Sequence, residues 1–162
     1  MSRELTADEA RQSLSEHVAA KGAGIFEKYG PCIGWNQLLR LLQDRACVRY
    51  PCTVAFDPAP LQKGECAYAR PNGDKPEEGF VIHIHPLFMT RMDRVAHLAL
   101  YQLVVVNYGP FASSDDAEIF GAAALGMGRE EYYEGLCEMA DWLQEQSCGC
   151  GGGGGEPTRN VV

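Results

Sequence analysis

Residues 98–127, LALYQLVVVNYGPFASSDDAEIFGAAALGM, contain two helix patterns separated by a short break. The first pattern predicts a helix over about 93–108 that is apolar on nearly every side, so we expect it to be buried. Gly109 and Pro110 follow it and are typical of a helix end. The four residues from Ser113 to Asp116 then form a Ser-x-x-Asp start for a second helix, which we expect to close at Gly126.

The rest of the chain predicts three more helices and three strands. Thr6-Ala7-Asp8-Glu9 is a capping box, and the helix that it opens is expected to end near Gly22 or Gly24. A second helix over about 35–44 would place Trp35, Leu38, Leu39 and Leu42 on one face, and a last helix covers about 129–146. Alternating apolar residues predict strands over about 48–56, 65–69 and 80–85, the first interrupted by Pro51.

The predicted order is helix, helix, three strands, buried helix, helix, helix, which favours an α+β fold. We expect a small three-stranded or larger mixed sheet packed against the buried helix, with the other helices at its flanks. Residues 1–147 are long enough for one domain and too short for two. Residues 148–162, which begin CGCGGGGG, are rich in Cys and Gly and predict a disordered tail.

The composition excludes several functional classes. The chain of 162 residues carries 14 Lys and Arg against 22 Asp and Glu, a net charge of −8. Such a charge disfavours nucleic acid and anionic membranes as partners. No apolar stretch is long enough to cross a bilayer, and the charged N-terminus has no apolar signal core, so we predict a cytoplasmic protein. The odd number of cysteines, seven, fits a reducing compartment.

The stretch around residues 45–127 resembles the minimal zincin metallopeptidases, especially the small bacterial ones. In these proteins strands lead into a buried His-Glu-x-x-His helix, and a second helix carries an acidic-x-x-Ala-x-x-Phe-Ala pattern. Ala117, Phe120 and the three alanines from Ala122 stand in DDAEIFGAAALG much as in that second pattern, with Gly121 where Ala is usual. The resemblance implies a zincin-like fold for this chain.

The catalytic residues that the resemblance would require are missing. The first zinc ligand would fall on Tyr101, the general base on Gln102 and the second ligand on Val105, while the acidic ligand would fall on Ser114, with Asp115 beside it. Catalytic zinc needs three protein ligands, and valine offers no lone pair. A glutamine cannot accept a proton, and loss of a general base costs roughly 10²- to 10⁴-fold in rate. We therefore expect no peptidase activity and no cofactor at these positions.

Two other groups of residues could bind a metal. His83 and His85 leave the same face of the third strand, and His97 could join them in a relocated site of a metal-dependent hydrolase that uses zinc. Cys148 and Cys150 could instead chelate a soft ion or exchange disulfides in a thiol- or metal-handling protein. Each group also has a structural explanation: a locally bonded histidine pair, and a tail with free thiols.

Acidic residues are concentrated near the C-terminus. Residues 113–146 hold nine acids and one base, Arg129. Five of these acids follow each other at intervals of three or four on the last helix (Glu130, Glu134, Glu138, Asp141 and Glu145), which predicts a solvated face opposite Leu136, Ala140 and Leu143. Of the three hypotheses, we favour a catalytically silent zincin-like binding or regulatory module, whose partner is an unknown protein or small molecule.

Overall fold

The structure is a computed structural model that describes residue 4 and residues 6–148, with only the backbone of Cys148. Five helices and three strands follow one another in the predicted order. The helices are α1 (Ala7–Tyr29), α2 (Trp35–Leu42), α3 (Met92–Tyr108), α4 (Ser114–Leu125) and α5 (Arg129–Cys148); the strands are β1 (Cys52–Phe56), β2 (Ala67–Pro71) and β3 (Phe80–Ile84). The α+β class is confirmed.

The sheet is mixed and has the strand order β1-β3-β2. β3 lies in the centre, parallel to β1 and antiparallel to β2. Ile82 and Ile84 on β3 are fully buried, and α3 packs against β2 and β3. The expected small mixed sheet against a buried helix is therefore present, with β2 at one edge of the sheet and in contact with α3.

Helix α1 continues past both glycines that were expected to end it. It extends to Tyr29, with Gly30 as its C-cap, so the predicted end near Gly22 or Gly24 was wrong. Gly22 is buried where α1 crosses α4, and a Cβ atom there would lie 2.6 Å from the carbonyl oxygen of Phe120. The absence of a side chain therefore serves close helix packing at this position rather than termination.

The first strand is shorter than predicted because the residues before Pro51 bond elsewhere. The N–H of Val48 donates to the carbonyl oxygen of Asp44, and the N–H of Arg49 donates to Oδ1 of Asn107 on α3, 2.9 Å away. The strand therefore begins only at Cys52, after the proline. β2 likewise lies two residues later than expected, and β3 ends at Ile84 rather than His85.

The helix boundaries predicted around the opening stretch are confirmed. Ser113 caps α4 through its side chain, and Gly126 closes the helix in the left-handed conformation at φ 67°. On α2 the buried face uses Leu41 in place of Leu39, which is 40% exposed. None of the helices in the described part of the chain is long and apolar enough to cross a membrane.

Candidate functional site

A cleft of about 300 Å³ opens between α3, β2 and the start of α4. Four of the five residues that the zincin resemblance selects line it: Tyr101, Gln102, Val105 and Ser114. Tyr101 and Val105 are one helical turn apart, so their side chains leave the same face of α3. Folding therefore brings these positions of the sequence together at one cleft.

Gln102 is buried at the base of the cleft, with 5% of its surface exposed, and its amide is bound to β2. Its Oε1 accepts a hydrogen bond from the N–H of Ala69 at 3.2 Å, and its Nε2 donates to the carbonyl oxygen of Ala67 at 3.4 Å. A buried amide needs such partners, because leaving it without them costs about 1–3 kcal/mol. Gln102 thus connects α3 to the edge of the sheet.

Tyr101 and Val105 form the accessible side of α3. Val105 is 41% exposed although most of α3 is buried, and Tyr101 is half-buried. Burial, followed by the nearby carboxylates of Glu118 and Asp115, raises the pKa of the Tyr101 hydroxyl. The tyrosine therefore stays protonated at neutral pH and can act as a hydrogen-bond donor toward a ligand.

Asp115 does not line the cleft, unlike its neighbour Ser114. Its Oδ1 accepts a hydrogen bond from the Arg129 guanidinium at 2.6 Å, which ties the start of α4 to the start of α5. Asp116 is buried and accepts hydrogen bonds from Ser113 and from Ser15 of α1. These two carboxylates fix the start of α4, where Ser113, Ser114 and Ala117 line the cleft.

The zincin positions present no catalytic group, although the carboxylate of Glu65 also lines the cleft from the segment before β2. The four zincin positions that line the cleft present a phenol, an amide, an isopropyl group and a hydroxyl, and none of these is a strong zinc ligand. The amide of Gln102 cannot take up a proton and is occupied by β2. A ligand would meet apolar surface together with a few hydrogen-bonding groups, as small-molecule sites commonly provide.

The three histidines considered for a relocated site lie in different surroundings. His85 is engaged locally, since its Nδ1 accepts the N–H of Leu87 at 3.2 Å and caps a 3₁₀ turn, Pro86–Thr90. His83 is buried on β3, and its Nδ1 has no hydrogen-bond partner. Within the described residues, no three His, Cys, Asp or Glu side chains are grouped so that they could hold a metal ion. The structure thus does not bring His83, His85 and His97 into one centre.

His97 lies between α3 and α5. Its ring stacks on Tyr132 with centroids 5.6 Å apart, and the Tyr132 hydroxyl donates to the His97 carbonyl oxygen at 2.6 Å. Burial, with a smaller contribution from Arg94, lowers the pKa of His97 to about 4. The imidazole is therefore neutral at physiological pH and serves as a packing residue of this helix pair.

Two thiols of the core and the acidic face of α5 have structural explanations. Burial raises the pKa of both Cys52 and Cys66 to about 12, so these two thiols stay protonated. Cys148 is the last residue of α5, and Cys150, like the rest of the predicted tail, lies outside the described residues. The acids of α5 that step by three or four are all exposed, which confirms the solvated face.

A larger groove of about 850 Å³ adjoins the cleft and was missed from the sequence. The two cavities share Tyr68, Ala69, Val105 and Ala112. Five aromatic residues line the groove: Tyr50, Tyr68, Phe80, Tyr108 and Phe111. These five residues come from separate parts of the chain, so no local sequence pattern indicated the groove. The one signal in the sequence was Phe111, an apolar residue in the turn after Pro110. In the structure its side chain is 88% exposed. We call this cavity the aromatic groove.

Comparison with known proteins identifies no relative. No protein-family model, no curated protein and no solved structure matches the chain. The resemblance to the minimal zincins therefore stays a prediction based on residues 101, 102, 105 and 114–124.

Proposed function

We propose that this protein is a catalytically silent, zincin-like binding module of the cytoplasm, with the cleft and the aromatic groove as its ligand site. The ligand is a protein segment or a small molecule. One observation carries the proposal: the positions at which a zincin would hold zinc and its general base line one cleft, yet they present Tyr101, Gln102, Val105 and Ser114.

The surroundings of Gln102 support a role without catalysis. In the minimal zincins that the chain resembles, this position holds the general base, which must be free to take a proton from water. Here both polar atoms of the side chain are bound to the β2 backbone. The residue therefore maintains the shape of the cleft, and the accessible Val105 supplies apolar contact surface beside it.

A fragment titration followed by nuclear magnetic resonance tests the proposal. We expect small aromatic fragments to shift the backbone amide signals of Ala69, Val105 and Ala117, which line the cleft. Val105→Glu should abolish these shifts, because it places a charge in the apolar part of the cleft. Leu39→Glu is the matched control, since Leu39 is 40% exposed against 41% for Val105 and lies on α2.

The same preparation should show no stoichiometric zinc by elemental analysis and no hydrolysis of casein. Zinc-dependent hydrolysis that is lost in Ser114→Ala, at an exposed residue of the cleft, but kept in Leu39→Glu would show an enzyme and contradict the proposal. Fragment shifts spread over the whole surface, unchanged in Val105→Glu, would remove the cleft as the ligand site.

A further inference from the structure

The aromatic groove is basic, in contrast to the rest of the chain. Its charged lining residues are Arg49, Lys75 and Asp74, whereas the whole chain carries a net charge of −8. Throughout the described residues, neither Arg49 nor Lys75 has a carboxylate within ion-pair distance. Asp74 is next to Lys75, and Glu78 Oε2 accepts the Lys75 backbone N–H at 3.0 Å. A ligand with a negative group would therefore find two cations that form no ion pair within the described residues, although acids lie beside Lys75.

Arg49 is held in place by its neighbours. Its backbone N–H donates to Oδ1 of Asn107, and its Nη1 donates to the Asn107 carbonyl oxygen at 3.3 Å. The guanidinium carbon lies 5.7 Å from the centre of the Tyr50 ring. A guanidinium has five N–H donors in a planar fork, so donors remain for a carboxylate after the bond to Asn107 is made.

The edge of β2 in the groove is poorly suited to an added strand. Cys66 accepts the N–H of His85 and Asn72 donates to the carbonyl oxygen of Gly79, at the two ends of β3. In this antiparallel register the backbone N–H and C=O groups of residues 67, 69 and 71 therefore point away from β3. Ala69 already donates its N–H to Gln102, and Pro71 has no N–H. A peptide strand needs alternating donors and acceptors along the edge that it joins, and here it would face mainly carbonyl oxygens. The groove therefore favours a ligand that is held by its side groups.

We propose that the aromatic groove binds a small apolar carboxylate. The apolar body would lie among Tyr108, Phe111 and the other aromatic walls, and the carboxylate would bind Arg49 and Lys75. A volume of about 850 Å³ falls within the range of sites that bury small organic ligands, about 300–1,000 Å³. This inference rests on the proposed function, because it names the ligand class of the same binding module.

Matched pairs of an acid and its amide test the charge requirement. We would titrate the full chain with phenylbutyrate and phenylbutyramide, and with octanoate and octanamide, while following the amide signals of Gly73, Val106 and Gly109 in the groove. Each carboxylate should bind about two- to five-fold more tightly than its amide, as expected for an ion pair with an exposed cation. High salt should reduce the difference.

Three variants locate the binding charge. Arg49→Gln and Lys75→Gln should each remove most of the preference for the acid, whereas Arg40→Gln should keep it, because Arg40 lies on α2 outside the groove. Lys75→Gln is the safer variant for folding, since Arg49 also bonds to Asn107. Equal binding of acid and amide would overturn the carboxylate inference and leave the binding module standing. Shifts from neither compound, in groove or cleft, would overturn both.

Discussion

The side chain of Gln102 supplies Ala69 with the hydrogen-bond acceptor that a neighbouring strand would otherwise provide. Its Oε1 accepts the Ala69 N–H at 3.2 Å, while its Nε2 donates to Ala67 two residues away. One amide thus satisfies a donor and an acceptor on the outer edge of β2, which helps to protect that edge from pairing with another chain. Gln102, which the zincin resemblance places at the position of the general base, therefore joins α3 to the sheet in this protein.

Removing that amide should destabilise the fold. Gln102→Ala leaves the N–H of Ala69 and the carbonyl of Ala67 without their partner in a buried place, so we expect a loss of about 1–3 kcal/mol in the free energy of unfolding. Gln102→Glu should also destabilise, because its carboxylate cannot donate to Ala67. Urea denaturation measures both, with the exposed Gln144→Ala as the control. A change in Gln102→Ala no larger than in the control would mean that these bonds contribute little.

Introducing zinc ligands at residues 101, 105 and 114 tests whether the cleft corresponds to the zinc site of a zincin. The triple variant Tyr101→His, Val105→His, Ser114→Asp places two imidazoles one turn apart on α3 and a carboxylate on α4, and it leaves Gln102 to hold β2. Two histidines at this spacing and one acid supply the ligand set of a catalytic zinc site. We expect the variant to bind one zinc ion in isothermal titration calorimetry, without recovered peptidase activity.

The single variant Tyr101→His is the control for the zinc graft. It supplies one imidazole and should bind zinc far more weakly than the triple variant. If the triple variant folds normally but binds no better than this control, the three positions do not share a metal-sized site, and the zincin interpretation should be dropped.

Acid should weaken the fold through His97. Its pKa is about 4 in the folded protein against an ordinary value of 6.5, because burial disfavours the charged ring. A lowered pKa means that the folded state binds fewer protons, so stability is full above about pH 6.5 and declines toward about pH 4. The decline attributable to His97 should be roughly 3 kcal/mol, since each pKa unit corresponds to about 1.4 kcal/mol.

The variant His97→Phe keeps an aromatic ring stacked on Tyr132 but has no group that can bind a proton there. The variant should lose stability less steeply than the wild type between about pH 6.5 and about pH 4.5, below the ordinary pKa of histidine. Following the His97 imidazole signals against pH gives its pKa directly. Parallel stability curves for the two proteins would contradict the assignment.

Two glycines of α1 should respond oppositely to the same substitution. In Gly22→Ala the new Cβ would lie 2.6 Å from the Phe120 carbonyl oxygen and 2.8 Å from Cβ of Ala123, so α1 and α4 must separate. We expect a loss of about 1–3 kcal/mol. Gly24→Ala meets nothing within 4 Å and should stabilise the helix by about 0.5–1 kcal/mol. Thermal unfolding distinguishes them, and equal effects would contradict the packing role of Gly22.

The sequence by itself determined the helix starts and most helix ends, because capping depends on residues a few positions apart. Thr6 with Glu9 and Ser113 with Asp116 form their boxes within one turn, and Gly126 closes α4 locally. Helix spacing also indicated that residues 101 and 105 share a face of α3, whereas only the resemblance to the zincins predicted that residues 102 and 114 would join them.

Only the tertiary structure decided what each of these residues does, because their partners are distant in the chain. Gln102 bonds to a strand more than thirty residues earlier, Asn107 binds Arg49, and Asp115 is drawn away from the cleft by Arg129. Gly22 looked like a helix end and proved to be a contact, since only α4 makes its missing side chain necessary. The aromatic groove likewise exists only where separate elements meet, so periodicity along one segment could not reveal it.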